Sequence, residues 1–234
     1  MGKYLVAQIF SHNFVLPFAT KKQEKMIQIK NWRTSAVIFE GEYPTIKDAV
    51  EAAVKQGVSL ASANLEGADL AGANLEGANL YRANLTGAGL RGANLEGADL
   101  EDANLEGANL YKAKLTGANL AEADLYKAIL RDANLAGANL YNADLTWANL
   151  EEADLTRATL KRAYLIGANL GWANLKGANL TWACLYMANL TGANLEGAIL
   201  IDADLRGADL TDADLTDADL TGAIVTGTIL EKKD

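Results

Sequence analysis

The stretch from Ala63 to Leu100 reads ANLEGADLAGANLEGANLYRANLTGAGLRGANLEGADL and repeats one five-residue unit without interruption. Leucine recurs at every fifth position from Leu60 to Leu220, thirty-three times in all, and alanine keeps the same period from Ala63 to Ala223. Because the period holds over most of the chain, it decides the fold of most of the chain.

A five-residue period fits neither regular secondary structure. Five residues advance about 500° around an α-helix, so successive leucines would lie about 140° apart and share no face. Along a β-strand, an odd step places alternate leucines on opposite faces. A chain that turns a corner every five residues does fit, because each side then carries one inward-facing leucine. The period therefore predicts a solenoid with a polygonal cross-section.

Composition and charge restrict the kinds of protein this chain can be. Cys184 is the single cysteine in 234 residues, which excludes an intrachain disulfide and fits a reducing compartment such as the cytoplasm. No run of about eighteen apolar residues occurs, so we expect no membrane span. Residues 1–57 carry a net charge of +3 and residues 58–234 one of −12. Such an acidic solenoid is poorly suited to binding nucleic acid directly.

Residues 1–25 precede the patterned part of the chain and are interpreted as a leader or extension. The apolar stretch from Tyr4 to Phe10 partly matches a secretory signal, but polar residues follow it and no clear cleavage site appears. An alternative hypothesis is that this segment anchors the protein to the cell envelope.

Residues 26–57 are predicted to form a β-hairpin followed by a helix. Two β-rich runs, Met26–Lys30 and Ala36–Glu40, flank a polar five-residue connection, which is typical of a hairpin. The segment from Gly41 to Pro44 is expected to end the second strand.

The helix in this module has clear boundaries in the sequence. Thr45 is a favourable N-cap, and Gly57 stands where a C-terminal glycine belongs. The resulting ββα element is expected to cover the open first coil of the solenoid, although Trp32 at the hairpin tip could instead serve recognition. One apolar helix face is predicted from residues Ile46, Ala49, Val50, Ala53 and Val54.

From Val58 onward the unit is Ala-Asn/Asp-Leu-x-x, and over residues 58–230 it closely resembles the pentapeptide repeat family. The resemblance implies an all-β solenoid, namely a right-handed quadrilateral β-helix in which four units form one twenty-residue coil. It also implies that the leucine and the alanine two residues before it point inward. Thirty-three units then give about eight coils, preceded by the small N-terminal ββα cap and followed by a charged tail at 231–234.

No catalytic constellation is visible, so we predict that the protein is not an enzyme and uses no cofactor or metal. His12 is the single histidine and lies in the leader, which excludes a histidine-based triad or metal cluster within the repeats. Acidic pairs are numerous, but a convex four-sided rod offers no cleft that would desolvate a carboxyl group and raise its pKa.

Departures from the repeat are the candidates for a binding surface. Twenty-residue coils would place Tyr164 above Cys184 on one side of the rod, between Asp144 and Asp204. Tolerated substitutions at outward positions are the alternative interpretation. The predicted protein-contact patch comprises Trp147, Tyr164, Cys184, Tyr186 and Met187.

The last coils are acidic on every side. Apolar residues from Ile224 to Leu230 follow them and either close the last coil or pair end to end with a second molecule. Seven aspartates, opposed only by Arg206, form a predicted acidic collar: Asp202, Asp204, Asp209, Asp212, Asp214, Asp217 and Asp219.

Two functions are compatible with these features. The leading hypothesis is a non-enzymatic structural or protein-binding scaffold of the bacterial cytoplasm, either a monomer or an end-to-end dimer, with an unknown protein partner. The alternative is an acidic DNA mimic that binds DNA gyrase or another DNA-binding protein, as implied by the fluoroquinolone-resistance members of the family. This chain shares their rod shape and acidic charge, but shows no C-terminal dimerisation helix and no large loop within the coils.

Overall fold

A computed structural model describes residues 24–231. In chain order they form strand β1 (Lys25–Lys30), strand β2 (Val37–Tyr43), helix α1 (Ile46–Lys55) and then the solenoid. In this part of the chain, no helix is both long and apolar enough to cross a membrane.

Two predicted segments lie almost entirely outside the described residues. Of the leader, only Glu24 and Lys25 are described, and Lys25 belongs to β1. Of the charged tail, only Glu231 is described. The division of the chain at residues 57 and 230 stays a prediction.

Short parallel bridges join each side of the solenoid to the side twenty residues later. On one side, Asn64 pairs with Asn84 and Asn84 with Asn104, and the other three sides repeat the arrangement down to Asp219. The leucine N–H donates to the next coil, as from Leu65 to the Asn84 carbonyl at 2.8 Å. Because bridges span twenty residues and units span five, each coil has four sides.

A tight turn forms each corner of the coil. The Ala68 N–H donates to the Leu65 carbonyl at 3.0 Å, and Gly67 between them has a φ of 61°. Glycine adopts this left-handed conformation without steric penalty, whereas another residue type costs about 1 kcal/mol there. About half of the corners nevertheless carry a non-glycine residue, such as Arg162 with a φ of 61°.

The interior consists of stacked leucine and alanine side chains. At five-residue spacing from Leu60 to Leu210, every leucine is at most 1 % exposed, and the alanines from Ala73 to Ala203 are at most 4 % exposed. The predicted inward pair is therefore confirmed. Full burial of each leucine contributes about 2 kcal/mol before the entropy of chain ordering is subtracted.

The asparagines before the leucines form columns that support the turns. The Asn134 side-chain oxygen accepts the Ala136 N–H at 3.0 Å, and many equivalent bonds recur along the chain. Some side chains also bond between coils, as from Asn139 Nδ2 to Asn119 Oδ1 at 2.9 Å. Such bonds hold neighbouring coils together at their sides.

Strand β2 is longer than expected, because it continues past Glu40 into the segment Gly41–Pro44 that was predicted to end it. Gly41 pairs with Ile27, and the strand continues to Tyr43, just before Pro44. A Cβ at position 41 would lie 2.7 Å from Tyr43 Cε2. Glycine therefore allows the tyrosine ring to pass over the strand and does not break it.

Both ends of α1 follow the prediction. Thr45 Oγ1 accepts the Asp48 N–H at 3.2 Å and donates to Asp48 Oδ2 at 2.6 Å. Beyond the last turn, Gly57 has a φ of 69°, and the Val58 N–H donates to the Ala53 carbonyl at 2.9 Å. These bonds satisfy the terminal backbone groups of the helix.

The ββα element packs on the first coil. Ile29 and Val50 are buried in the same core cluster as the repeat leucines, and Asn31 forms an antiparallel bridge with Ala63. Trp32, the alternative recognition residue, donates its indole N–H to the Arg82 carbonyl at 2.8 Å. Its position thus ties the hairpin tip to the second coil.

The opposite end of the core is less covered. Among the described residues, no helix or strand packs over the last coil, where Leu215, Leu220 and Val225 are only partly buried. Ile224 is 46 % exposed and Ile229 is 65 % exposed. Closure of this end and end-to-end pairing both remain predictions.

We expect Leu115→Asp to abolish cooperative folding or to lower the free energy of unfolding by more than about 4 kcal/mol, because it buries an unpaired carboxylate. Lys114→Asn is the matched control, since Lys114 is the exposed neighbour and asparagine is the usual residue there. Thermal unfolding followed by circular dichroism measures both. Equal stability of the two variants would contradict the inward assignment of the leucine.

Candidate protein-contact surface and acidic collar

The predicted patch lies on one side of the rod. Tyr164 bridges to Cys184 in the next coil, with Asp144 above them and Asp204 below in the same column. Tyr164 is 48 % exposed, and Cys184 is a free thiol of intermediate exposure. The structure therefore brings these residues together in the order that the twenty-residue period predicts.

Trp147 and Met187 occupy the corner that bounds this side, and both are well exposed, at 55 % and 58 %. The Trp147 indole lies over Gly167 in the next coil, where an added Cβ would come within 2.5 Å of the ring. Tyr186, 41 % exposed, lies next to Met187 with the Arg206 guanidinium 5.8 Å from its ring centre.

Trp182 bounds the other corner of the same side and was missed by the sequence analysis. It stands two residues before Cys184, is 47 % exposed, and donates its indole N–H to Asp202 at 3.0 Å. Trp182 does not replace the usual Asn or Asp of the repeat, which is where departures mark the predicted patch. Only the stacking of coils in steps of twenty residues could have placed it on this side. We call the resulting surface the aromatic face, comprising Trp147, Tyr164, Trp182, Cys184, Tyr186 and Met187.

The corners of the aromatic face carry bulky residues where glycine would fit best. Trp147, Trp182 and Met187 have φ values of 58°, 60° and 57°, and Trp172 on another corner has a φ of 58°. Large side chains in this left-handed region are uncommon and cost about 1–3 kcal/mol each. Since about half of the corners in the rod are not glycine, the backbone conformation alone does not fix the residue type at these positions.

The aspartates of the acidic collar occupy two kinds of position. Asp204, Asp209, Asp214 and Asp219 stand one on each side of the rod, at the position before leucine. The other three, Asp202, Asp212 and Asp217, stand at corners with φ values of 55°, 57° and 57°. These positions place carboxylates on every side of the last coils.

Hydrogen bonds lower the pKa values of the four aspartates at the side centres, Asp204, Asp209, Asp214 and Asp219. Thr216 Oγ1 donates to Asp214 at 2.6 Å, which lowers the pKa of that carboxyl below its ordinary value. Threonine bonds lower the pKa of Asp209 and Asp219 in the same way. The side chain of Arg206 donates to Asp204 and lowers the pKa of that aspartate.

Over residues 24–231, no cluster of three or more histidine, cysteine or acidic side chains could hold a metal ion. A groove of about 750 Å³ lies between the ββα element and the first coil, lined by Lys25, Ile46 and Asp69 among others. It contains no residue of the aromatic face or the collar.

A family model of pentapeptide repeats matches this chain in eight copies, at residues 59–97, 83–120, 118–157, 153–186 and 188–227. The chain belongs to the pentapeptide repeat family. Its solenoid is accordingly a right-handed quadrilateral β-helix, with the small ββα element at its N-terminal end.

Several solved pentapeptide repeat proteins are similar to this chain. HetL, involved in heterocyst differentiation regulation in the cyanobacterium Nostoc sp. strain PCC 7120, is 39 % identical over 70 % of this chain and 81 % of its own, with a TM-score of 0.36. Rfr23 from the cyanobacterium Cyanothece 51142 is 34 % identical over 50 % of this chain and 64 % of its own, with a TM-score of 0.29.

A third similar structure is QnrB1, a plasmid-mediated fluoroquinolone resistance protein. It is 22 % identical over 64 % of this chain and 79 % of its own, with a TM-score of 0.42. At that identity the likeness concerns the fold alone. No curated protein sequence matches this chain.

Thr216→Val is expected to raise the pKa of Asp214 back toward the ordinary aspartate value, because the hydroxyl donor is lost. A carboxyl-carbon NMR titration measures this pKa, and Asp209 and Asp219 in the same variant serve as internal controls. A carboxyl group whose pKa is lower in the folded state stabilises that state at pH values above the ordinary aspartate pKa. This contribution is lost as the pH falls below about 4. An unchanged Asp214 pKa would contradict the assignment.

Gly167→Ala is expected to destabilise the protein more than Gly137→Ala. Both glycines have positive φ, at 62° and 66°, so both substitutions strain the backbone by about 1 kcal/mol. Only the alanine at 167 would also collide with the Trp147 ring, since nothing lies within 4 Å of the Cβ position at 137. Thermal unfolding and the indole NMR signal of Trp147 measure the difference. Equal destabilisation would show that the indole does not rest on Gly167.

Proposed function

We propose that this pentapeptide repeat protein is a non-enzymatic scaffold that binds a protein partner through the aromatic face. The observation that carries the proposal is the exposure of five large side chains, between 41 % and 58 %, on one side of neighbouring coils. Contiguous exposed apolar patches on soluble proteins mark interaction sites. Tryptophan and tyrosine are enriched among the residues that contribute most to binding.

The backbone conformation supports the same proposal. Trp147, Trp182 and Met187 occupy left-handed corners, where any residue other than glycine costs about 1 kcal/mol. The core does not require them, because the inward leucines and alanines are the same in coils without aromatic corners. Most other non-glycine corners carry polar residues, so binding of a partner would account for apolar side chains at these three.

An acidic DNA mimic that binds DNA gyrase or another DNA-binding protein is the second candidate function. The collar supports it, because carboxylates with lowered pKa values surround all four sides of the last coils and remain charged at neutral pH. A basic partner surface would be attracted to such a ring. This binding would be led by charge and therefore sensitive to salt.

We also propose a cellular location, a range of ligands and an oligomeric state for the protein. We place it in the bacterial cytoplasm, with no cofactor and no direct binding to nucleic acid, as a monomer or as a dimer through the terminal coil. The single cysteine and the net charge of −9 support this setting.

The combined change Tyr164→Ser and Trp147→Ser is expected to abolish capture of a protein partner from lysate of the native host. It removes two large apolar contacts without touching the core. The measurement is a pull-down with the tagged protein at low and at high salt, with bound proteins identified by mass spectrometry.

Trp172→Ser is the matched control for this experiment. Trp172 is 63 % exposed and lies over Gly192 in the way that Trp147 lies over Gly167, but it occupies a different corner. Its loss should leave capture unchanged. A partner that the double variant retains and high salt removes would overturn the aromatic face and favour the collar. Equal loss in the control would indicate an effect on folding.

A further inference from the structure

Two cations share one indole at the edge of the aromatic face. Lys161 Nζ lies 4.9 Å and Arg162 Cζ 5.0 Å from the centre of the Trp182 ring. Arg162 also donates to the Tyr141 hydroxyl at 3.3 Å. Arg162 and Trp182 stand at the corner that precedes Tyr164 and Cys184 in the chain, and Lys161 lies just before that corner.

Neither cation is paired with a carboxylate in the part of the chain that the structure describes. Four other basic residues of the repeats are paired with carboxylates, including Arg82 with Asp102 at 3.0 Å and Lys176 with Glu196 at 2.6 Å, whereas others among the described residues, such as Arg91 and Lys112, are not. Such pairs are easily formed in an acidic rod. Lys161 and Arg162 thus keep their capacity to bind a carboxylate from another molecule.

We infer that the aromatic face recognises an acidic protein segment. The partner would place carboxylates at Lys161 and Arg162 and pack an apolar side chain against Trp182 and Tyr164. This inference rests on the proposed function and specifies the chemistry of its partner.

The surrounding charges favour an acidic peptide over nucleic acid. Asp144 stands above the face in the Tyr164 column, and Asp202 and Asp204 stand below it. A nucleic acid strand carries a phosphate at every nucleotide and would pass these carboxylates as it crosses the face. A protein segment needs only one or two acidic side chains at the two cations, and its other residues can be neutral.

The test uses the ¹⁵N-labelled protein and the indole NMR signals of its four tryptophans. Two of them, Trp147 and Trp182, report on the aromatic face, and Trp172 and Trp32 report on places away from it. The probes are the peptides Ac-Glu-Leu-Glu-Phe-Glu-NH₂ and Ac-Lys-Leu-Lys-Phe-Lys-NH₂ and a four-nucleotide oligothymidylate. We expect the acidic peptide to shift the Trp182 signal with saturation at low salt, while Trp172 and Trp32 remain unchanged. No saturable Trp182 shift, or an equal shift with the basic peptide or the oligonucleotide, would overturn the inference.

Two charge-matched variants separate a specific site from general attraction. Lys161→Gln with Arg162→Gln should weaken binding of the acidic peptide at least tenfold. Arg91→Gln with Lys112→Gln removes two cations that also share one ring, at 5.3 and 5.1 Å from Tyr111, but away from the aromatic face. This control should change the affinity less than twofold, and equal weakening by both variants would contradict a specific site.

The peptide test and the pull-down fail in distinguishable ways. A native partner that is lost with Tyr164→Ser and Trp147→Ser, combined with no response to the acidic peptide, would show that the face binds a partner of other chemistry. Retention of the native partner in that variant, combined with no peptide response, would overturn the proposed function as well.

Discussion

The left-handed conformation at every fifth residue is the constraint on which the rest of the structure depends. It turns the chain by one side, so that each leucine and the alanine before it face the interior. The corner N–H also donates to the next coil, as from Trp147 to the Ile166 carbonyl at 2.9 Å. Because each coil is held at its corners and at its sides, corner residues other than glycine are tolerated, and the outward side chains are free to vary.

Much of the fold follows from the sequence, since the period alone assigns inward and outward positions. The order Asp144, Tyr164, Cys184 in one column also followed from counting twenty residues, once the family had supplied four sides per coil. The extension of β2 through Gly41 did not follow, because it depends on where the Tyr43 ring lies. The contact of Trp147 with Gly167 likewise depends on side-chain direction, which residue spacing does not define. The identity of the partner is not encoded in the period at all.

The aromatic face and the acidic collar adjoin each other, and their border carries charge of both signs. Asp202 of the collar accepts the Trp182 indole N–H, while Lys161 and Arg162 lie over the same ring from the coil above. Charge of both signs therefore borders the Trp182 ring, positive from the coil above and negative from the coil below. A bound segment with charges of its own would be oriented along the rod axis by this arrangement, and electrostatic complementarity would then select its direction.

The four-sided solenoid gives every outward residue two coordinates: the coil in which it lies along the rod, and the direction, one of four, in which its side faces. An insertion of twenty residues would lengthen the rod by one coil and leave all directions unchanged. An insertion of five residues near position 175 would preserve the leucine core yet rotate everything below it by a quarter turn, which would place Cys184 beneath Asn169 and no longer beneath Tyr164. Surfaces on such a rod can therefore be dismantled or created by changes in repeat number alone, with no substitution at the surface and no loss of core packing.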